Sequence, residues 1–503
     1  MKLRQHSFLG TTQSLCPECL AVVPAKIVVK GSRVYFRKRC EVHGVREDFV
    51  CSDVRWFDRN EFSTPGKVPQ IIGTLPDRGC PYDCGLCTEH EQHTCIALLE
   101  ITSNCNLTCP MCFAASAPGG KHLTFEQCKS AIDRLVAVEG KPEVLQLSGG
   151  EPTIHPEFLR ILRYACEQPI DVVMINTNGV RLAKDAEFRD AVAQWNHRAE
   201  VYLQFDGLQE THYQALRGVS LLETKLRAVE RLGEVGLKTT LVCTLQSGLN
   251  LDQCGPIIRH AAERPHVTGV SFQPATYCGR HFLPEQLEDR VTFPDVIAAI
   301  ADQAGEWFSE SDFLPLPCAH PNAHTLCYAY RDAGSLVPLN RFIDIAANMD
   351  LLAGGIVFTR DRAKELIGQF LSRTTCGDSP CEILHVDSNT ADERMSDEAA
   401  TMAQSFMHKA VAQSLSQSDL LRVTITSFMD AYNFDVRQLM KSCVHHVLPS
   451  GHLIPFSAYN VLYRDGHVDL PELSDVRCSS QAGEQEQREV LSSPSPLVNI
   501  NEC

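Results

Sequence analysis

Two cysteine triplets carry the strongest chemical signal in this chain. Cys80, Cys84 and Cys87 have the spacing C-x3-C-x2-C, and so do Cys105, Cys109 and Cys112. Thiols this close in sequence suit an iron–sulfur cubane, whose irons each take one thiolate. The first triplet is followed by Cys95, so that Cys80, Cys84, Cys87 and Cys95 can close a [4Fe–4S] cluster. The second has no further cysteine until Cys128, inside a predicted helix, where a thiol packs as a small hydrophobe. A cluster on Cys105, Cys109 and Cys112 would therefore leave one iron open to bind something else. Spacing alone leaves zinc as the alternative for either triplet.

A separate knuckle lies upstream. Cys16-Pro-Glu-Cys19 and Cys40-Glu-Val-His43 flank two predicted strands, 25–30 and 33–38, with Gly31-Ser32 at the turn. Cys16, Cys19, Cys40 and His43 form a tetrahedral site for one zinc or mononuclear iron, with Cys51 as an alternative to His43. Four protein ligands make that site closed, and so structural.

These residues need a scaffold, and composition bounds it. The chain has 503 residues, 23 of them cysteine, and a formal charge of −16. An acidic chain is a poor match for phosphate contacts, so no nucleic-acid partner is expected. No apolar run approaches the roughly 20 residues of a membrane span, and no secretory h-region is visible at the N-terminus. The expectation is a protein that is cytoplasmic or peripheral to a membrane, whose thiols serve metals rather than disulfides.

From residue 98 onward, short apolar runs alternate with amphipathic helical patterns. The runs fall at 98–102, 144–147, 172–176, 201–205, 240–244 and 269–273, and the first helix opens with a capping box at Thr124–Gln127. Six strand–helix units predict an α/β fold with a parallel sheet, an open (β/α)6 barrel rather than a full eightfold one. Loops at C-terminal strand ends carry the chemistry of such sheets, which puts Cys105–Cys112 at the active face. The expected organisation is a metal-binding β module (1–60), an auxiliary-cluster segment (61–97), the barrel (98–310), an α+β cap (311–475) and a disordered tail (476–503).

The Cys105–Cys112 loop, with Met111 and Phe113 beside its last cysteine, resembles the radical S-adenosylmethionine (radical SAM) superfamily over roughly residues 98–275. Gly149-Gly150-Glu151-Pro152 at the second strand end resembles the superfamily motif that meets the methionyl amino group. The glycines would let backbone approach the ligand, and Glu151 would accept from its ammonium. Asn176, Asp206 and Arg217 match positions around the sugar and methionyl parts. The resemblance implies that Cys105, Cys109 and Cys112 are catalytic cluster ligands. It implies reductive cleavage of S-adenosylmethionine to a 5′-deoxyadenosyl radical, which abstracts hydrogen from an unactivated carbon. A one-electron donor such as ferredoxin or flavodoxin is implied as a partner.

The order of knuckle, four-cysteine group and radical SAM loop resembles the archaeal tetraether lipid synthase family and its bacterial relatives, also described as hydroxymethylpterin methyltransferases. The phrases at 272–280, 317–321 and 454–460 carry the likeness to about residue 465. It implies carbon–carbon bond formation on an apolar or lipid-like substrate. The alternatives are radical methylation of a pterin or another natural product, and a non-enzymatic metal-binding scaffold. The relatives carry extra cysteines where this chain has Ser442 and Ser457, which leaves Cys318, Cys327 and Cys443 as candidates for a second auxiliary cluster, alongside Cys376 and Cys381.

Overall fold

The computed structural model describes residues 6–343 and 397–478, so Cys376, Cys381 and the tail beyond 478 lie outside the described residues. Four antiparallel strands open the chain: β1 (Ser7–Leu15), β2 (Val22–Lys30), β3 (Arg33–Cys40) and β4 (Gly44–Cys51). The turn at Gly31-Ser32 joins β2 to β3 and pairs Lys30 with Arg33, as the sequence predicts. A short strand, β5 (Ile71–Ile72), precedes the barrel.

The barrel strands are β6 (Ile96–Thr102), β7 (Val144–Gly149), β8 (Val172–Thr177), β9 (Ala199–Gln204), β10 (Thr239–Leu245) and β11 (Val267–Pro274). They pair in parallel in chain order. The first crossover helix, α1 (Phe125–Glu139), starts at the expected capping box, with Thr124 and Gln127 satisfying each other's backbone N–H groups. One face of the strands packs on the helices through fully buried Leu99, Leu147, Val173, Val201, Leu241 and Val270. The period of two turns the alternate residues inward.

The segment after residue 310 does more than cover the barrel. It supplies β12 (Leu314–Pro315), β13 (His324–Asp332), β14 (Ser335–Pro338), β15 (Leu420–Thr426), β16 (Val444–Val447) and β17 (Leu453–Pro455) to the same sheet. β15 pairs in parallel with β11, and β16 in parallel with β6. The six predicted strands are thus flanked by two more, from residues far downstream. Strand order does not return on itself, so the barrel is partial.

The β module is fixed to the C-terminal segment by buried charge. Lys38 pairs with Asp48 at 2.9 Å and donates to the carbonyls of Leu15, Ala431 and Tyr432. Thr12 donates to Asp435 at 2.6 Å. Burial lowers the Lys38 pKa while Asp48 supports its charge. Removing one partner of such a pair costs about 3–5 kcal/mol, because the other is left buried and uncompensated.

Candidate active site and metal centres

The Cys105–Cys112 loop leaves β6 at the C-terminal end of the sheet and lines a cavity of about 260 Å³. Backbone bonds between Cys112 and Arg280 run both ways, at 2.9 and 3.0 Å, and tie the loop to the segment after β11. The Arg280 guanidinium donates to the carbonyls of Cys109, Ala115 and Ser116, tying the middle of the loop to the segment that follows it. Gly279 has φ +60°, and a Cβ there would fall 2.3 Å from the Phe113 carbonyl oxygen. Arg280 lies inside a phrase that carried the family likeness, yet nothing in local sequence marks it as a clamp 168 residues from Cys112.

Burial pushes the Cys105 thiol up to about 12, and the Glu151, Cys109 and Cys112 charges add to that. Burial also raises Cys109, against the pull of Arg217. Three thiols in mutual electrostatic range fit a positively charged centre that would stabilise them as thiolates. Cys105, Cys109 and Cys112 are not drawn together within the single-ion spacing that two other groups show. That separation fits the wider cubane.

The residues expected at the cofactor divide into two kinds. Gly149, Gly150, Asn176 and Arg217 line the cavity. Glu151 and Asp206 are buried behind the residues that line it. Glu151 Oε1 accepts from Thr153 N, Thr153 Oγ1 and Thr177 Oγ1, and Oε2 accepts from Asn178 N at 2.7 Å. With three donors on Oε1 and one on Oε2, Glu151 braces the β8 end. The glycines serve the fold first: Cβ atoms at Gly149 and Gly150 would meet the Thr102 and Asn104 carbonyl oxygens at 2.0 and 2.2 Å. Asp206 is fully buried, accepting from Arg217 Nε at 2.7 Å and Nη2 at 2.6 Å, and from Thr244 N. Burial works against the Arg217 cation, and Asp206 overrides it, holding the charge beside Cys109 and Cys112.

Lys225 was not singled out from sequence, because a helical lysine ordinarily reads as surface. It is fully buried on helix Leu222–Glu234 and donates to Gln204 Oε1 at 2.6 Å. Burial pulls its pKa down to about 7.

The cavity has two further walls. One is apolar: Ile96, Leu98, Phe113, Phe428, Val444 and Phe456. The other, inside the strands, is polar. Tyr202 donates to Ser271 at 2.9 Å and accepts from Gln273 at 2.9 Å, and His324 lies 3.2 Å from Thr426.

The auxiliary cysteines regroup relative to the sequence expectation. Cys80, Cys84 and Cys87 share a small pocket with His90, Leu439 and Met440. Cys95 is not among them. It joins Cys318 and Cys443, the three sulfurs lying within 4.8 Å of one another, all fully buried. Seven residues lie between Cys87 and Cys95, and Cys95, just before β6, lies beside the start of β16, where Cys95 N donates to Cys443 O at 3.0 Å. Cys327 is not part of either set. It sits on β13 in the main apolar core and its thiol faces the Tyr328 carbonyl.

Cys16, Cys19, Cys40 and His43 do converge, with all four ligand atoms within 4.8 Å. The backbone N–H groups of His43 and Val42 lower the Cys40 thiol to about 6. Cys51 is buried in the core, away from this set, and burial raises its pKa.

Comparison with known proteins agrees with this layout. Residues 99–261 match the Radical SAM superfamily model, and residues 8–52 match the HMPTM N-terminal zinc ribbon domain. The 7,8-dihydro-6-hydroxymethylpterin dimethyltransferase of Methanocaldococcus jannaschii is 31% identical over 484 residues, covering 90% of this chain and 94% of that protein.

The chain belongs to the radical SAM superfamily, in the family of that relative.

Mycofactocin maturase MftC of Mycobacterium tuberculosis is 31% identical over 160 residues, covering 31% of this chain and 39% of its own. Among solved structures, Streptococcus suis SuiB matches with a TM-score of 0.35 and 15% identity, over 42% of this chain and 46% of that one. This radical SAM enzyme carries, among its described residues, no helix long and apolar enough to cross a membrane.

Proposed function

We propose that this enzyme abstracts hydrogen from an unactivated carbon and forms a carbon–carbon bond on a lipid-like substrate. The observation that carries the reading is the cavity: cysteine loop on one side, Phe113, Phe428, Phe456 and their aliphatic neighbours on the other. Cys105, Cys109 and Cys112 would hold the [4Fe–4S] cluster. With S-adenosylmethionine bound, that centre supplies the one-electron cleavage that yields a 5′-deoxyadenosyl radical.

The chain's own residues then orient and exclude. Ser148, Asn176, Asn178 and Thr244 line the cavity and would offer hydrogen-bonding groups to the bound cofactor, and Glu151 fixes the Asn178 turn. Arg217 places positive charge beside the thiolates. The apolar wall keeps water from the radical and holds an alkyl carbon within reach of it. Cys80, Cys84 and Cys87 are proposed to hold an auxiliary cluster, and ferredoxin or flavodoxin to deliver the electron. The five segments set out from sequence remain our proposed division of the chain.

The M. jannaschii relative's name supports a second reading, methylation of a pterin. The Tyr202–Ser271–Gln273 network favours it, since a heterocycle edge would be met by such polar groups. One experiment separates the two. The reduced enzyme is given S-adenosylmethionine with either a perdeuterated acyl lipid or 7,8-dihydro-6-hydroxymethylpterin. Deuterium in 5′-deoxyadenosine from the lipid supports the first reading; a methyl mass gain on the pterin alone contradicts it.

A further inference from the structure

We infer that Asp430 and Arg290 are positioning residues for the Cys105–Cys112 loop, and that the N-terminal β module steadies them through Lys38. Their role rests on the reading that this loop holds the cluster. Neither residue lines the cavity, and both are buried, Asp430 completely. A buried charge pair adds little net stability over well-packed apolar residues, so what it holds is the informative part. Asp430 Oδ2 accepts from Arg290 Nη2 at 2.7 Å and from the backbone N–H of Tyr277 at 3.1 Å. Its Oδ1 accepts from Tyr432 N at 3.0 Å. The Arg290 guanidinium also lies over the Tyr277 ring, 4.9 Å from its centroid. Main chain and ring of Tyr277 are therefore fixed together.

Tyr277 reaches the loop by two routes. It packs in one small core with Met111, Leu216 and Ala275, and Met111 adjoins Cys112 in the chain. It also stands three residues before Arg280, whose backbone bonds Cys112 in both directions and whose guanidinium donates to the Cys109 carbonyl. A shift at Tyr277 would thus move two of the three thiols. The turn carrying Asp430 is itself secured from two sides. Asp430 N donates to Asn433 Oδ1 at 2.8 Å, and Met429 N donates to Ser457 Oγ at 3.0 Å. From the β module, Lys38 donates to the Ala431 and Tyr432 carbonyls, its charge balanced by Asp48 at 2.9 Å. Lys38, Asp48, Asp430 and Arg290 are two cations and two anions, none more than 5% exposed, set between the module and the loop. Misplacing a reacting group by about 1 Å costs on the order of 10²-fold in rate, which gives such a brace its value.

The test uses full-length enzyme reconstituted anaerobically. Hydrogen–deuterium exchange and the electron paramagnetic resonance of the reduced cluster are read beside turnover. Asp430→Asn combined with Arg290→Gln removes both charges at once, so that neither is left buried alone. It is expected to keep the melting temperature and the iron and sulfide content of the unaltered enzyme. Exchange should rise by about 10-fold or more at 105–116 and 275–283, as for lost hydrogen bonds to a charged group, with β8–β10 unchanged. The resonance should change its response to S-adenosylmethionine, and turnover should fall by about 10²-fold. Arg290→Lys, which keeps the charge, should lose less on every readout. Lys38→Met combined with Asp48→Asn should raise exchange at the same two segments, by a smaller factor. Unchanged exchange and resonance in the Asp430/Arg290 variant would overturn the assignment. So would its failure to fold, or exchange raised evenly along the chain, either of which would make the pair a structural weld. Unchanged exchange in the Lys38/Asp48 variant would overturn the part given to the β module. A resonance that still responds to S-adenosylmethionine in Cys109→Ala would instead defeat the cluster reading, which the exchange pattern does not measure.

Discussion

The Cys105–Cys112 loop and the Cys95–Cys318–Cys443 set each gather three thiols, by opposite means. The loop draws its thiols from eight consecutive residues at one strand end, beside a cavity, clamped by Arg280. The buried set draws one thiol from each of three segments, with Cys95 and Cys318 lying 223 positions apart in sequence, and closes them in the core. The first arrangement lines a cavity; the second is fully buried. Location, more than thiol count, separates a reactive centre from a structural one.

The largest expected effect tests the loop itself. Cys105→Ser should lower product formation on the order of 10³-fold or more, measured as turnover per reconstituted chain, since no other group can replace the thiolate. Glu151→Gln follows. It keeps shape but removes the charge from four donor contacts, at about 1–3 kcal/mol. S-adenosylmethionine binding measured by calorimetry should weaken by roughly 10-fold, with Glu151→Ala worse; equal affinity would show that the brace does not matter. Arg280→Met should give a smaller loss, seen as faster cluster release to chelator, because the backbone bonds between Cys112 and residue 280 persist.

These variants also mark what could be read from sequence. The loop, the Gly-Gly-Glu motif and the six strand–helix units were legible, because each depends on spacing within a few dozen residues. The Gly31-Ser32 hairpin and the Thr124 capping box were legible for the same reason. The partner of Cys95 was not, because pairing of β6 with β16 decides it, and that register is a tertiary fact. Glu151 and Asp206 were placed at strand ends, but their protein partners were not legible. A motif names a position, whereas the direction of a carboxylate follows from neighbours such as Thr177 and Arg217. Cys327 was grouped by residue type alone, and strand alternation turned it into the core.

The smallest expected effect concerns pH. Lys225 has its folded pKa lowered to about 7 by burial, against an unfolded value near 10.5. Between these values the unfolded chain binds more protons, so this group makes stability rise with pH from about 7 to about 10. Lys225→Met should flatten that part of a melting-temperature profile; an unchanged slope would remove Lys225 as its source.

The central claim is that the loop generates the radical while the buried set only supports it. Its most direct measurement is 5′-deoxyadenosine formed from S-adenosylmethionine under dithionite, in Cys109→Ala beside Cys443→Ala, each reconstituted anaerobically. The expected result is no 5′-deoxyadenosine from the first and clear formation by the second. Cleavage retained in Cys109→Ala, or lost only in Cys443→Ala, would contradict it.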